Sequence, residues 1–248
     1  MVYNDDFIGE KVRHLIETTH PEWHKILNKA LDCVDEDYLM LLENDKNWLP
    51  GLTSIFAAFS LPLNETKYIL LGESPYPRSK SANGYAFWDN AVSNLWSDSG
   101  LSKEVNRATS LRNLMKMLLV SRGDLQEDQS QQAIAVLDKS RYWQTAEQFF
   151  STLVSKGFLL LNASLVYAED KVQFHAKKWQ PFMHSLLIQL SDHKDTLQLI
   201  LFGQIAKQVP EVKFFTCLIA EHPYNLTFIT NPQVLEFFKP LDLLNCHD

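Results

Sequence analysis

Four short apolar runs limit most strongly what this chain can fold into: residues 67–71 (KYILL), 158–161 (FLLL), 197–202 (LQLILF) and 215–219 (FTCLI). Runs that are apolar at successive positions suit strands covered on both faces, because side chains alternate sides along a strand. Amphipathic stretches lie between them: Leu111 to Val120, Trp143 to Val154, Pro181 to Leu190, a short one near Ile205, and a closing helix from Val234 to Leu244. Strand and helix alternate, so the expected class is α/β, a three-layer α/β/α arrangement with a four-stranded parallel central sheet. Ahead of the first run, residues from about 6 to 45 read as helical. Leu15, Ile16, Ile26, Leu27, Leu31, Leu39 and Leu42 recur at helical spacing there, with Pro21 as a helix start. Residues 50–59 read as a further short helix. No repeat, low-complexity tract or composition break divides residues 1–248, so one domain with a helical N-terminal part (1–45) is expected.

Composition narrows the function classes. Of the 248 residues 46% are hydrophobic, with 6 Trp and 15 Phe, ample for a full core. The opening MVYNDDFIGEKVRHLIE has neither a basic nor an apolar signal region, and no apolar run approaches the about 20 residues a membrane helix needs. A soluble, cytoplasmic protein (nuclear in a eukaryote) without membrane contact, and a monomer, is expected. Cys33, Cys217 and Cys246 are scattered and odd in number, which fits a reducing compartment and cannot supply a four-cysteine cluster. His20 and His24 share helical spacing, but Pro21 lies between them and no third ligand is near, so neither metal nor cofactor is expected. The net charge of −7 argues against broad nucleic-acid binding while leaving room for a local basic groove. Arg78, Lys80, Arg107, Arg112, Lys116, Lys171, Lys177 and Lys178 are its candidates, each with ordinary surface charge as the plainer reading.

Each apolar run ends in polar or turn-forming residues: GESPYP after the first, NAS after the second, GQ after the third and EHPYNLT after the fourth. Parallel sheets bind ligands beyond the carboxyl ends of their strands. Three of these turns would bring Glu73, Ser74, Tyr76, Asn162 and His222 around one crevice.

The same segments carry a resemblance. WLP at 48–50, IFAAF at 55–59 and KYILLGESPY at 67–76 resemble the first motif block of family 1 uracil-DNA glycosylases, which normally ends G-Q-D-P-Y-H. GYAF at 84–87 looks like the family's G-L-A/C-F, TSLRNL at 109–114 resembles P-P-S-L-x-N-I, LLLNASL at 159–165 is similar to L-L-L-N-x-x-L, and HPYNLT at 222–227 is similar to H-P-S-P-L-S. Order and spacing agree over roughly residues 45–245. The resemblance implies a base-excision enzyme that extrudes uracil from DNA into a pocket. Phe87 would stack on the base, Asn162 would read its edge, and Tyr76 would crowd the position of thymine's methyl. His222 would donate to a uracil carbonyl as charge develops on the leaving base. Leu226 would fill the gap in the stack, and Ser110 and Thr227 would contact phosphates. Taken singly, each residue has a structural reading: a core phenylalanine, a packed turn tyrosine, a helix-capping asparagine, a turn histidine.

The departures from the family pattern are chemical. Ser74 stands at the position of the aspartate that polarises water, and a neutral hydroxyl is a poor base at pH 7. Pro77 replaces a histidine, Tyr224 a small phosphate-binding serine, and Asn225 a proline. Glu73 replaces glutamine and resembles the G-E-x-P-G turn of family 4 glycosylases, whose four-cysteine iron–sulfur cluster this chain cannot build. Glu73 is either a catalytic carboxylate, orienting water or countering the sugar cation, or a solvated turn residue. Two functions follow: a glycosylase for uracil or a related deaminated base, slowed by Ser74, or a catalytically silent DNA- or protein-binding module on that scaffold.

Overall fold

The computed structural model describes residues 10–193 and 197–247. The stretch 6–9 of the expected N-terminal helical region lies outside them. Six strands occur in chain order: β1 (Tyr68–Gly72), β2 (Trp96–Ser97), β3 (Gly100–Leu101), β4 (Phe158–Asn162), β5 (Gln198–Phe202) and β6 (Thr216–Ala220). Four form a parallel sheet in the order β4-β1-β5-β6, each within a residue or so of its apolar run, while β2 and β3 form a small antiparallel pair.

Alternation along the strands assigns the two helical layers. Ile69, Leu71, Leu159, Leu161, Leu199 and Leu201 pack against the N-terminal helices and helix Val172–Leu190. Leu70, Leu160, Ile200, Phe202 and Leu218 face helices Thr109–Arg122, Ala146–Ser155 and Pro232–Phe238. Strands β4, β1 and β5 are thus covered on both sides, as their apolar runs require. The edge strand β6 instead leaves Thr216 and Ile219 exposed, against the sequence expectation, because among the described residues no strand and little helical cover lie beyond it. From β1 the chain goes to β4 on one side and then crosses back to β5 on the other, so the strand order reverses around β1 and a crevice opens at its carboxyl end.

Local chemistry fixes the helix ends. Thr145 and Gln148 form a reciprocal capping box, so that helix starts at Ala146 instead of Trp143. The N-terminal region is broken into short pieces, with His24–Leu31 and Glu36–Asn44 as its longer helices, and Pro21 does open a helical turn. His20 and His24 are engaged locally: His20 Nδ1 accepts the Glu22 N–H, and His24 Nε2 lies 3.2 Å from the Thr19 carbonyl. Residues 50–59 contain only short 3-10 turns.

Two helix boundaries correct the sequence reading. Pro181 lies inside the helix Val172–Leu190 and does not begin it. Both Pro181 and Lys177, whose carbonyl loses its partner, are exposed, so water can replace the missing bond. Buried Trp179, Phe182, Met183, Leu186 and Leu187 carry the helix through the proline, offsetting a penalty of about 3 kcal/mol. The closing helix runs from Pro232 to Phe238 and gives way to a 3-10 turn at Lys239–Leu241, because Pro240 cannot continue the hydrogen-bond ladder. Among the described residues no helix is long and apolar enough to cross a membrane.

Candidate active site

The turn after β1, the end of β4 and the loop after β6 meet at the crevice. A cavity of about 260 Å³ there is lined by Glu73, Ser74, Tyr76, Phe87, Ser110, Asn162 and His222, joined by Gly72, Pro75, Pro77, Tyr85 and Tyr167. The sequence reading did not single out Tyr85 and Tyr167. Tyr85 sits inside the GYAF segment, and Tyr167 follows Asn162 by five residues, so proximity to a motif was the only available signal. Leu226 and Thr227 stand outside this cavity on an exposed loop.

Asn162 forms the floor. It ends β4 in register with Gly72 and is only 3% exposed. Among the described residues no protein group hydrogen-bonds its side-chain amide, which leaves a donor and an acceptor free for a ligand edge. Gly72 is needed for this approach: a Cβ there would lie 2.7 Å from Asn162 Oδ1 and 3.0 Å from the Ala86 Cβ. The strand pairing continues beyond the sheet, with Ala163 N–H bonded to the Gly72 carbonyl at 2.8 Å and Ser164 N–H to the Glu73 carbonyl at 2.9 Å. The backbone of the turn is therefore fixed even though the Glu73 side chain is exposed.

Phe87 and Tyr76 hold one another. Phe87 has a φ of 63°, in the left-handed region that a bulky residue seldom occupies. The neighbouring Ala86 N–H is tied to the Leu160 carbonyl at 3.0 Å, and Tyr76 Oη donates to the Phe87 carbonyl at 3.3 Å. Backbone strain of this kind persists where the surroundings over-determine it, often at ligand clamps. Burial, with a smaller contribution from Asp89, pushes the Tyr76 phenol above its ordinary value against the opposing pull of Arg78, so it remains a neutral donor.

His222 faces Phe87, their rings 6.2 Å apart and inclined by 27°. Its Nδ1 accepts the Tyr224 N–H at 3.1 Å, which places the proton of the neutral ring on Nε2. Burial lowers its pKa below the ordinary histidine value, opposed by the nearby Glu73 carboxylate. His222 is therefore a neutral donor at pH 7. Its loop is braced by buried Asn113, whose Nδ2 donates to the Pro223 carbonyl at 2.7 Å. Asn231 braces the loop from the other side through a 2.7 Å bond to the Glu221 carboxylate. Burial alone would raise the Glu221 carboxyl, but its own backbone N–H, Thr227 and Asn231 hold it below the usual range.

Glu73 also lines a second cavity of about 290 Å³ on the side of helix Val172–Leu190. Met183, Ile205 and Val209 supply its apolar wall, and His184 Nδ1 bonds the buried Glu211 carboxylate at its edge.

An α/β sheet with a cavity at its carboxyl edge, floored by a free amide and flanked by an aromatic ring and a neutral histidine, has the build of a ligand-binding α/β protein. The chain is 30% identical over 206 residues to a uracil-DNA glycosylase of Campylobacter lari, covering 82% of this chain and 76% of that one. It is also 30% identical to a uracil-DNA glycosylase of Amoebophilus asiaticus, of whose length it spans 60%. A crystal structure of a UNG from Nitratifractor salsuginis superposes with a TM-score of 0.89 at 39% identity, covering 95% of this chain and 96% of that one. No family model matches the chain. The chain belongs to the uracil-DNA glycosylase family.

Proposed function

We infer that this protein excises uracil from DNA by hydrolysing its N-glycosidic bond, and does so slowly. The observation that carries this reading is the convergence of Asn162, Phe87, Tyr76 and His222 on one cavity at the end of β1. An extruded uracil would stack on Phe87, meet the Asn162 amide along its edge, and meet Tyr76 where thymine carries its methyl. As the bond to the sugar lengthens, negative charge collects on the base and positive charge on the sugar. His222 Nε2–H would donate to the uracil oxygen where that charge gathers, a preorganised donor needing no proton rearrangement. Ser110 lines the cavity at the start of helix Thr109–Arg122, whose N-terminus has no side-chain cap. It would hold a flanking phosphate with the free N–H groups of that turn. Leu226 and Thr227 would meet the DNA outside the cavity, as wedge and phosphate contact.

The slow step follows from Ser74. A hydroxyl cannot take a proton from water at neutral pH or offset the sugar cation, and losing one acid–base group costs roughly 10²–10⁴-fold. Glu73, a carboxylate on the neighbouring residue and on the cavity wall, is the substitute for orienting water. Ser74 is also the observation favouring a second reading, a catalytically silent binding module. Incubation with uracil-containing single-stranded DNA, followed by alkaline cleavage and gel analysis, separates the two. Abasic product above an Asn162→Asp control supports excision; binding without product selects the silent module.

A further inference from the structure

The loop after β6 carries two large exposed side chains, Leu226 at 69% and Tyr224 at 68% exposure, with exposed Asn225 between them. The wedge role accounts for Leu226 alone. Tyr224 does not line the base cavity, and among the described residues no hydrogen bond, ion pair or ring contact engages its side chain. Its backbone is in the opposite condition. The Tyr224 N–H is held by His222 Nδ1 at 3.1 Å and its carbonyl by Asn113 Nδ2 at 3.4 Å. The next N–H, of Asn225, returns to the His222 carbonyl at 2.9 Å. An aromatic ring is thus presented to water from a pinned backbone, two residues from the cavity histidine. Little conformational freedom is lost when such a ring is covered by a flat partner.

Resting on the excision reading, we propose that Tyr224 is a second base-binding residue whose ring stacks on the nucleobase next to the extruded one. Extrusion bares one face of that neighbour. Leu226 fills the gap left in the stack, and Tyr224 supplies an aromatic surface suited to any base. Stacking also suits this protein's charge. The net charge is −7, Arg78 is tied to Asp89 at 3.0 Å, and the Arg112 guanidinium is engaged by the Asn106 carbonyl and Asn113 Oδ1. Grip on DNA that does not depend on cations is therefore useful here.

The test is fluorescence anisotropy with a single-stranded oligonucleotide carrying one 2′-fluoro-deoxyuridine, whose fluorine disfavours the sugar cation and blocks turnover. One version has adenines on both sides of the uridine, the other tetrahydrofuran spacers. With adenines, Tyr224→Ala and Tyr224→Ser should bind about tenfold more weakly than wild type, and Tyr224→Phe should bind nearly as well. With spacers, wild type should weaken and the alanine change should add little, the coupling expected of a direct contact. Equal losses for Tyr224→Phe and Tyr224→Ala would show a phenol–phosphate contact and overturn the proposal. So would an alanine penalty that persists with spacers, or no binding to either oligonucleotide. Because binding is the readout, absence of abasic product on an ordinary uracil substrate would defeat the excision reading while leaving a Tyr224 dependence visible.

Discussion

The floor of the cavity and its rim differ in how firmly they are held. Asn162 is buried, registered against Gly72 and closely fitted to it, and Phe87 is locked in a strained conformation by neighbours on both sides. The rim turn has a fixed backbone but exposed side chains at Glu73, Pro77 and Arg78, and it carries the departures from the family pattern at Glu73, Ser74 and Pro77. On the proposed function, recognition would rest on the sheet, where a change disturbs packing, and reaction chemistry on a solvated turn, where Ser74 and Glu73 can differ without cost to the core. The same scaffold would then keep its pocket while its reacting groups are exchanged.

The most damaging test of the floor is Asn162→Asp. A carboxylate lacks the amide donor and places negative charge against a uracil oxygen, so single-turnover excision should fall by roughly 10³-fold or more. Unchanged excision would remove Asn162 from uracil reading and with it the division of labour between floor and rim. Gly72→Ala should cost about 10²-fold through displacement of the Asn162 amide, because misplacement by about 1 Å is enough. A crystal structure of that variant with Asn162 unmoved and activity intact would show that the floor is softer than its packing implies.

At the rim the expected change has the opposite sign. Ser74→Asp should raise excision by roughly 10²-fold, with a carboxylate again able to orient water. Repulsion from Glu73 would raise one of the two pKa values and blunt the gain, so the double change Ser74→Asp with Glu73→Gln is the cleaner measurement. Glu73→Gln alone should abolish residual turnover if Glu73 is the substitute base. If Ser74→Asp, with or without Glu73→Gln, binds uracil-DNA yet gains nothing, the missing aspartate does not limit this protein and the binding-module reading is the better one.

The smallest effect expected is in the pH profile. The folded-state pKa of His222 is lowered, so the neutral donor persists as pH falls past the ordinary histidine value of about 6.5. Protonation would break the Nδ1 acceptance of the Tyr224 N–H. Excision should therefore stay level from pH 7.5 to about 6.5 and decline only below it. The stability contribution has the same sign. In the window between the lowered folded value and the unfolded one the unfolded chain binds more protons, so this contribution is present above the window and lost as pH falls through it. A decline already complete at pH 7 would show that His222 is not held neutral.

The sheet is dictated by the residue pattern alone. Apolar pairs such as Leu70 and Leu71, or Leu160 and Leu161, face opposite ways on a strand, so the chain had to bring a helical layer to each face. The glycine and polar residues that follow those strands marked the ligand edge, and family motifs at 72–76, 84–87, 162 and 222–227 named the residues to look for there. Boundaries were less legible where distant contacts overrule local preference. The helix through Pro181 is held by its buried face, and the break near Pro240 follows a helix whose amphipathic pattern continues past its end. Tyr85 and Tyr167 were marked as cavity residues by nothing more than proximity to a motif, because local sequence does not record what packs beside them. The tautomer of His222, the strained Phe87 backbone and the outward Tyr224 ring are likewise decided by tertiary structure. Each depends on atoms from segments far apart in the chain, or on a loop shape set by Asn113 and Asn231, and local sequence carries no term for either.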